Sequence, residues 1–165
     1  MTAYHGAFPA WISLRLSPLL LIAALAGCAG SPEVAEVPAT RASNETARKA
    51  VAFAREVIGM PYRYGGDTPA GFDCSGLVRY SYGRAGIGMP RATPAQRNAT
   101  TLISVRSLRP GDLLFFDQEG KKASHVGMYL GDGRFVHAPS SGGRVRTDSL
   151  SADYWKKHFV EARRI

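Results

Sequence analysis

The sequence predicts one α+β domain whose helices precede an antiparallel sheet, and three observations carry that prediction. Ahead of Leu108 the segments with regular spacing are amphipathic or bounded by glycine, as helices are. From Leu108 onward the apolar runs shorten to strand length and are separated by Gly, Asp and Pro. The 137 residues beyond Cys28 suffice for one core and are too few for two. Helices first and strands afterwards, without alternation and without an internal repeat, point to an α+β class.

The elements follow in order. Ser43 or Asn44 is a suitable N-cap for a first helix through Ala47, Val51, Phe53, Ala54, Val57 and Ile58, which stops at Gly59. Its spacing assigns it to packing. The stretch from Tyr62 to Gly71 holds too many glycines, with Pro69, for a regular element. A second helix starts at or near Cys74, runs through Leu77, Val78, Tyr80, Ser81 and Tyr82, and ends at Gly83 and Gly86. Thr93 is placed to cap a short third helix, with Pro94 in its first turn. After the turn Arg109-Pro110-Gly111-Asp112 come strands at Leu113–Phe116, Ser124–Leu130, Arg134–Ala138, Val145–Ser149 and Phe159–Arg164, in a sheet of five to six strands. Gly131-Asp132-Gly133 joins two of them as a hairpin.

Residues 1–28 are expected to be a targeting segment. Arg15 precedes the apolar run Leu16–Ala26, which is too short to span a bilayer and suits a signal-peptide core. The run ends in Leu25-Ala26-Gly27-Cys28, which resembles the bacterial lipoprotein cleavage box, with Cys28 as the lipidated residue. Ala29 stands where an aspartate would, by the same resemblance, imply retention at the inner membrane, so the expectation is an outer-membrane anchor facing the periplasm. A plain secretory signal cleaved near Ala29 is the alternative. Residues 29–42, rich in Pro, Ala and Ser, read as a flexible tether, and residues 43–165 as the domain.

All 13 acidic and 20 of the 21 Lys and Arg residues lie beyond Cys28, which gives that part a formal charge of +7. Such a charge suits anionic cell-wall polymers or lipid head groups, and equally serves solubility. The export signal and the lack of a basic run argue against nucleic acid.

The chain has two cysteines. If Cys28 carries lipid, Cys74 has no intramolecular partner in an oxidising compartment. Its position at a helix start offers unpaired amides and the positive end of the helix dipole, which favour a thiolate and could hold an oxyanion. A lone cysteine is otherwise a small buried hydrophobe. His125 and His137 lie on the two strands joined by the Gly131-Asp132-Gly133 turn, so they come close together. One imidazole can take the thiol proton while the other fixes its tautomer, with His125 as base and His137 as orienter. A zinc site of two histidines and one thiolate competes with this reading, although metal-binding cysteines usually come in close pairs. His5 and His158 are assigned no role.

The same residues carry a family resemblance. Pro61-Tyr62-Arg63-Tyr64-Gly65-Gly66, Asp73-Cys74-Ser75-Gly76-Leu77-Val78, Met89-Pro90-Arg91, Arg109–Phe116, His125–Gly131 and Phe135-Val136-His137-Ala138 resemble, in order, the motif series of the NlpC-type cell-wall peptidases. The similarity runs from about residue 46 to the C-terminus and takes in Tyr154-Trp155-Lys156-Lys157. It implies a reduced papain-like fold, with the cysteine at a helix N-terminus packed on the sheet that holds both histidines. It also implies hydrolysis of amide bonds in peptidoglycan stem peptides, between D-glutamate and diaminopimelate or at the cross-link, without a cofactor. Carried over residue by residue, Cys74 is the nucleophile, His125 the general base and His137 the third polar residue. Tyr62 matches a tyrosine near the thiol that helps bind the oxyanion, Asp73 and Ser75 match substrate-contacting positions, and Arg91 matches a recurrent arginine without an assigned role. For Tyr62 and Asp73 the residues themselves also allow structural duties, a ring closing the loop against the core and a carboxylate capping the helix. A catalytically silent murein-binding scaffold and another acyl-transfer enzyme on the same fold are the competing functions.

Overall fold

The computed structural model describes residues 38–118 and 120–165. The expected lipoprotein signal with Cys28, and the expected tether up to residue 37, lie outside the described residues.

Helix α1 spans Pro38–Glu56 and so begins ahead of the expected Ser43 or Asn44 cap. The reason is local: Pro38 is tolerated in a first turn, and Ala39, Arg41 and Ala42 are good helix formers that extend the helix backwards. Its buried residues Ala50, Val51, Ala54 and Val57 pack into the core. The stretch expected to be irregular contains a small antiparallel ladder, β1 (Asp67–Thr68) with β2 (Gly71–Phe72). Helix α2 spans Cys74–Arg84 and α3 Thr93–Asn98.

The sheet has six strands, β3 (Thr101–Ile103), β4 (Leu113–Gln118), β5 (Lys121–Gly131), β6 (Arg134–His137), β7 (Arg146–Ser149) and β8 (Phe159–Arg164). They are ordered β3-β8-β4-β5-β6-β7, antiparallel throughout. Strand β3 was not among the expected strands, because its three residues carry no alternation and it exists by pairing with β8 at the edge. Helix α4 (Asp153–His158), between β7 and β8, was also not expected, since only Trp155 in it is buried and six residues carry no helical period.

Both faces of the sheet are covered at β4, which is why Leu113–Phe116 reads as a continuous apolar run. Leu113 and Phe115 join Val126, Met128 and Val136 in the core shared with α1 and α2. Leu114 and Phe116 point the other way and meet Phe135, Trp155 and Ala162. The Tyr82 hydroxyl donates to the Gly111 carbonyl at 2.6 Å and ties the end of α2 to the turn before β4. Helix α2 is held down at its other end too, because a Cβ on Gly76 would collide with the Gly66 carbonyl.

Candidate active site

Asp73 is the N-cap of α2, and its Oδ1 accepts the Gly76 amide at 2.7 Å. Cys74 is therefore the first helical residue. Its amide is one of those for which the helix offers no acceptor. Thr93, at the start of α3, does not cap that helix; Ala92 occupies the cap position, and the Thr93 Oγ1 lies 3.6 Å from the Cys74 Sγ. Gln96 keeps α3 against α2 by donating to the Ser75 and Pro90 carbonyls, both at 2.8 Å.

Arg91 has a clear place. It grips Asp73 in a bidentate pair, Nη1 to Oδ1 at 2.9 Å and Nη2 to Oδ2 at 2.6 Å, and also donates to the Ser75 Oγ at 3.1 Å and the Gly66 carbonyl at 3.3 Å. The Gly65 amide donates to Asp73 Oδ2 at 3.0 Å. These donors hold the Asp73 carboxyl below its usual range against the opposing effect of burial. Asp73 and Ser75 line the groove beside the thiol, yet their polar atoms are engaged in building the wall. The capping role allowed for Asp73 is thus present. Tyr62 also lines the groove and packs against the core, with its amide donating to the Gly143 carbonyl at 2.7 Å.

The facing wall comes from the sheet. His125, paired with Phe116 across β4–β5, is buried, and its Nε2 lies 2.9 Å from Nδ1 of His137. His137, at the end of β6, is fully buried, and its Nε2 lies 3.0 Å from Oδ2 of Asp148 on β7. Arg146 is the cross-strand partner of His137, so Asp148 is its diagonal neighbour. Trp155 of α4 closes the cluster: its ring stacks on His125 at 5.7 Å, meets His137 edge-on at 4.8 Å, and its Nε1 donates to Asp148 Oδ2 at 2.9 Å. Asp148, Thr93 and Trp155 escaped the sequence analysis as site residues. The available signals were the diagonal register for Asp148 and the single tryptophan of the Tyr154–Lys157 motif.

Cys74 and His125 line one groove of about 620 Å³, and His137 sits behind His125. The zinc reading needs both imidazoles to converge on an ion, whereas here they bond to each other and both nitrogens of His137 are engaged.

Burial works against the thiolate that the helix start favours. Burial pushes the Cys74 thiol up, helped by the nearby Asp73 charge, and outweighs the Thr93 hydroxyl and the Val126 and Ser75 amides that act the other way. Burial likewise pushes both imidazoles well below their ordinary value; His137 adds to this at His125, while Asp148 opposes it at both rings. At all three groups burial favours the uncharged form. What the site can do chemically is move one proton from sulfur to an imidazole, with amides at the α2 start available for a developing oxyanion.

A model of the NlpC/P60 family matches residues 59–164. The chain belongs to this family. That span contains every residue of the groove and of the histidine cluster described above. Among curated relatives, the chain is 43% identical over 113 residues to a murein DD-endopeptidase, MepH, of Escherichia coli, covering 66% of this chain and 42% of the relative. It is 40% identical over 119 residues to a gamma-DL-glutamyl hydrolase of Bacillus subtilis, covering 70% of this chain and 29% of the relative. The chain thus spans less than half the length of either. Among solved structures, the NlpC/p60 domain of the peptidoglycan hydrolase SagA superposes with a TM-score of 0.62 at 38% identity, covering 72% of this chain and 98% of that one. The α+β class and the papain-like NlpC/P60 fold expected from the sequence are those of the structure.

Proposed function

We propose that this chain is a lipid-anchored peptidoglycan peptidase that hydrolyses amide bonds of murein stem peptides through Cys74 and His125. The observation that carries the proposal is a thiol at the first position of a helix, sharing a groove with an imidazole whose other side is braced by a second imidazole. As the Cys74 sulfur attacks the scissile carbonyl, its proton passes to His125. The Cys74 amide and the Tyr62 hydroxyl stabilise the oxyanion. His125 then gives the proton to the leaving amine, and water, deprotonated by His125, hydrolyses the thioester and restores the thiol. The groove falls in the size range of small-molecule and peptide subsites.

The names of the relatives support the substrate class, one being a murein DD-endopeptidase and another a gamma-DL-glutamyl hydrolase. The bond cut here is either the D-glutamyl-diaminopimelate bond or the cross-link. The Leu25–Cys28 quartet supports lipidation at Cys28, and Ala29 supports anchoring in the outer membrane facing the periplasm. The test is mass spectrometry of fragments released from peptidoglycan and from defined muropeptides, with Cys74→Ala as control. Fragments split after D-glutamate identify a D,L-endopeptidase, and loss of cross-linked dimers with intact stems a D,D-endopeptidase. Absence of Cys74-dependent release from both substrates overturns the proposal.

A further inference from the structure

Three side chains converge on one oxygen, Oδ2 of Asp148: Trp155 Nε1 at 2.9 Å, His137 Nε2 at 3.0 Å and Arg146 Nε at 3.2 Å. Indole and guanidinium nitrogens can only donate, and an ionised carboxylate can only accept. The third partner must donate as well, so His137 carries its proton on Nε2. A neutral imidazole has one N–H, which leaves His137 Nδ1 as a bare lone pair. That lone pair lies 2.9 Å from His125 Nε2. The bond between them then requires the N–H of His125, and His125 Nδ1 is left unprotonated.

We infer that Asp148 is a positioning residue that fixes the tautomers of both imidazoles through His137, leaving Nδ1 of His125 as the basic nitrogen of a residue that lines the groove. The aromatic packing supports this, because Phe116, Phe135 and Trp155 lie against the two rings and the hydrogen bond between them is buried. The consequence for catalysis rests on the thiol reading above; the consequence for the tautomers does not. When His125 takes the thiol proton on Nδ1, its Nε2–H bond to His137 is already in place. No ring turns, His137 stays neutral, and the carboxylate stabilises the imidazolium from one residue away. The proton then leaves from the same Nδ1 to the departing amine.

Asp148→Ala and Asp148→Asn test this on the whole protein labelled with nitrogen-15 histidine. In the wild type the His125 and His137 resonances, assigned by single substitution, are expected to show bare Nδ1 and protonated Nε2 in both rings. Asp148→Ala removes the acceptor, and both rings are expected to become tautomer mixtures. Asp148→Asn is expected to keep the wild-type pattern, because Trp155 and Arg146 hold an acceptor oxygen in the Oδ2 position. In turnover, Asp148→Ala is expected to lose about 10²-fold in kcat with KM changed less than about twofold, part of the 10²–10⁴ that a positioned base supplies. Asp148→Asn is expected to remain within about tenfold of wild type. Unchanged tautomers in Asp148→Ala, or an Asp148→Asn spectrum showing the same mixture as Asp148→Ala, overturn the inference. A wild type without Cys74-dependent hydrolysis overturns the proposed function and leaves the spectroscopic result standing.

Discussion

The two walls of the groove are built on opposite electrostatic plans. The thiol wall is charged: Arg91 and Asp73 form an ion pair with partial access to water, and their hydrogen bonds fix the backbone at the start of α2. The imidazole cluster is buried and largely apolar, with His125 and His137 held among Phe116, Phe135 and Trp155 and the Asp148–Arg146 pair at its far end. A backbone has to be clamped by groups that bond strongly in fixed directions, which charges do well. A base has to stay uncharged until it is needed, which burial ensures.

The largest effects should come from removing the groups proposed to exchange the proton. Cys74→Ala is expected to abolish release of muropeptides, and His125→Ala to lower kcat by about 10³-fold, with His137→Ala losing less, as coupled turnover assays would read. Next comes the charged wall. Arg91→Ala leaves the Asp73 carboxylate with a lost bidentate partner and should destabilise the fold by about 2 kcal/mol in urea titrations, lowering activity by loosening the Cys74 backbone.

Acid should separate the walls. Unfolded histidines bind protons near pH 6.5, but the folded ones only near about 4 at His137 and about 3 at His125, so between those values the unfolded state holds more protons. Stability is fully present above about pH 6.5 and declines as pH falls through that window. Asp73, held low, keeps its contribution until pH falls below about 3.9, the ordinary aspartate value. Urea titrations across pH 7 to 4 should show the decline, and His137→Phe should lessen it while the part due to His125 remains. A decline that begins only below about pH 4 in the wild type would show that the imidazoles are not the acid-sensitive groups. The smallest effect is expected at Thr93→Val, which preserves shape, removes the hydroxyl from the sulfur and moves the thiol further up. Ultraviolet titration of the thiolate would detect it, with activity reduced severalfold at most.

The legible parts of this molecule were those written in short-range pattern. Cys74 stood out at a loop-to-helix junction, and the Gly131-Asp132-Gly133 turn brought His125 and His137 together by counting residues along two strands. Arg91 could be matched but not explained, because its partner Asp73 is 18 residues away and the pairing depends on how the intervening chain returns. Thr93 was read as a helix cap, its commonest local duty, when a tertiary contact with the thiol claims its hydroxyl. Asp148 and Trp155 were invisible as a pair, since strand β7 and helix α4 meet only once the sheet is assembled. The edge strand β3 was missed for the same reason: three residues become a strand only when β8 is beside them.

The position of Trp155 also gives the molecule a built-in optical gauge. Besides Trp11, which can be replaced by phenylalanine, it is the chain's only indole, and it touches both imidazole rings while bonding the carboxylate behind them. Contact with a protonated imidazole quenches indole emission, so the fluorescence of this one ring follows the charge on the histidines. Under the proposed mechanism, transfer of the sulfur's proton becomes an event that light can time, without a label in the groove.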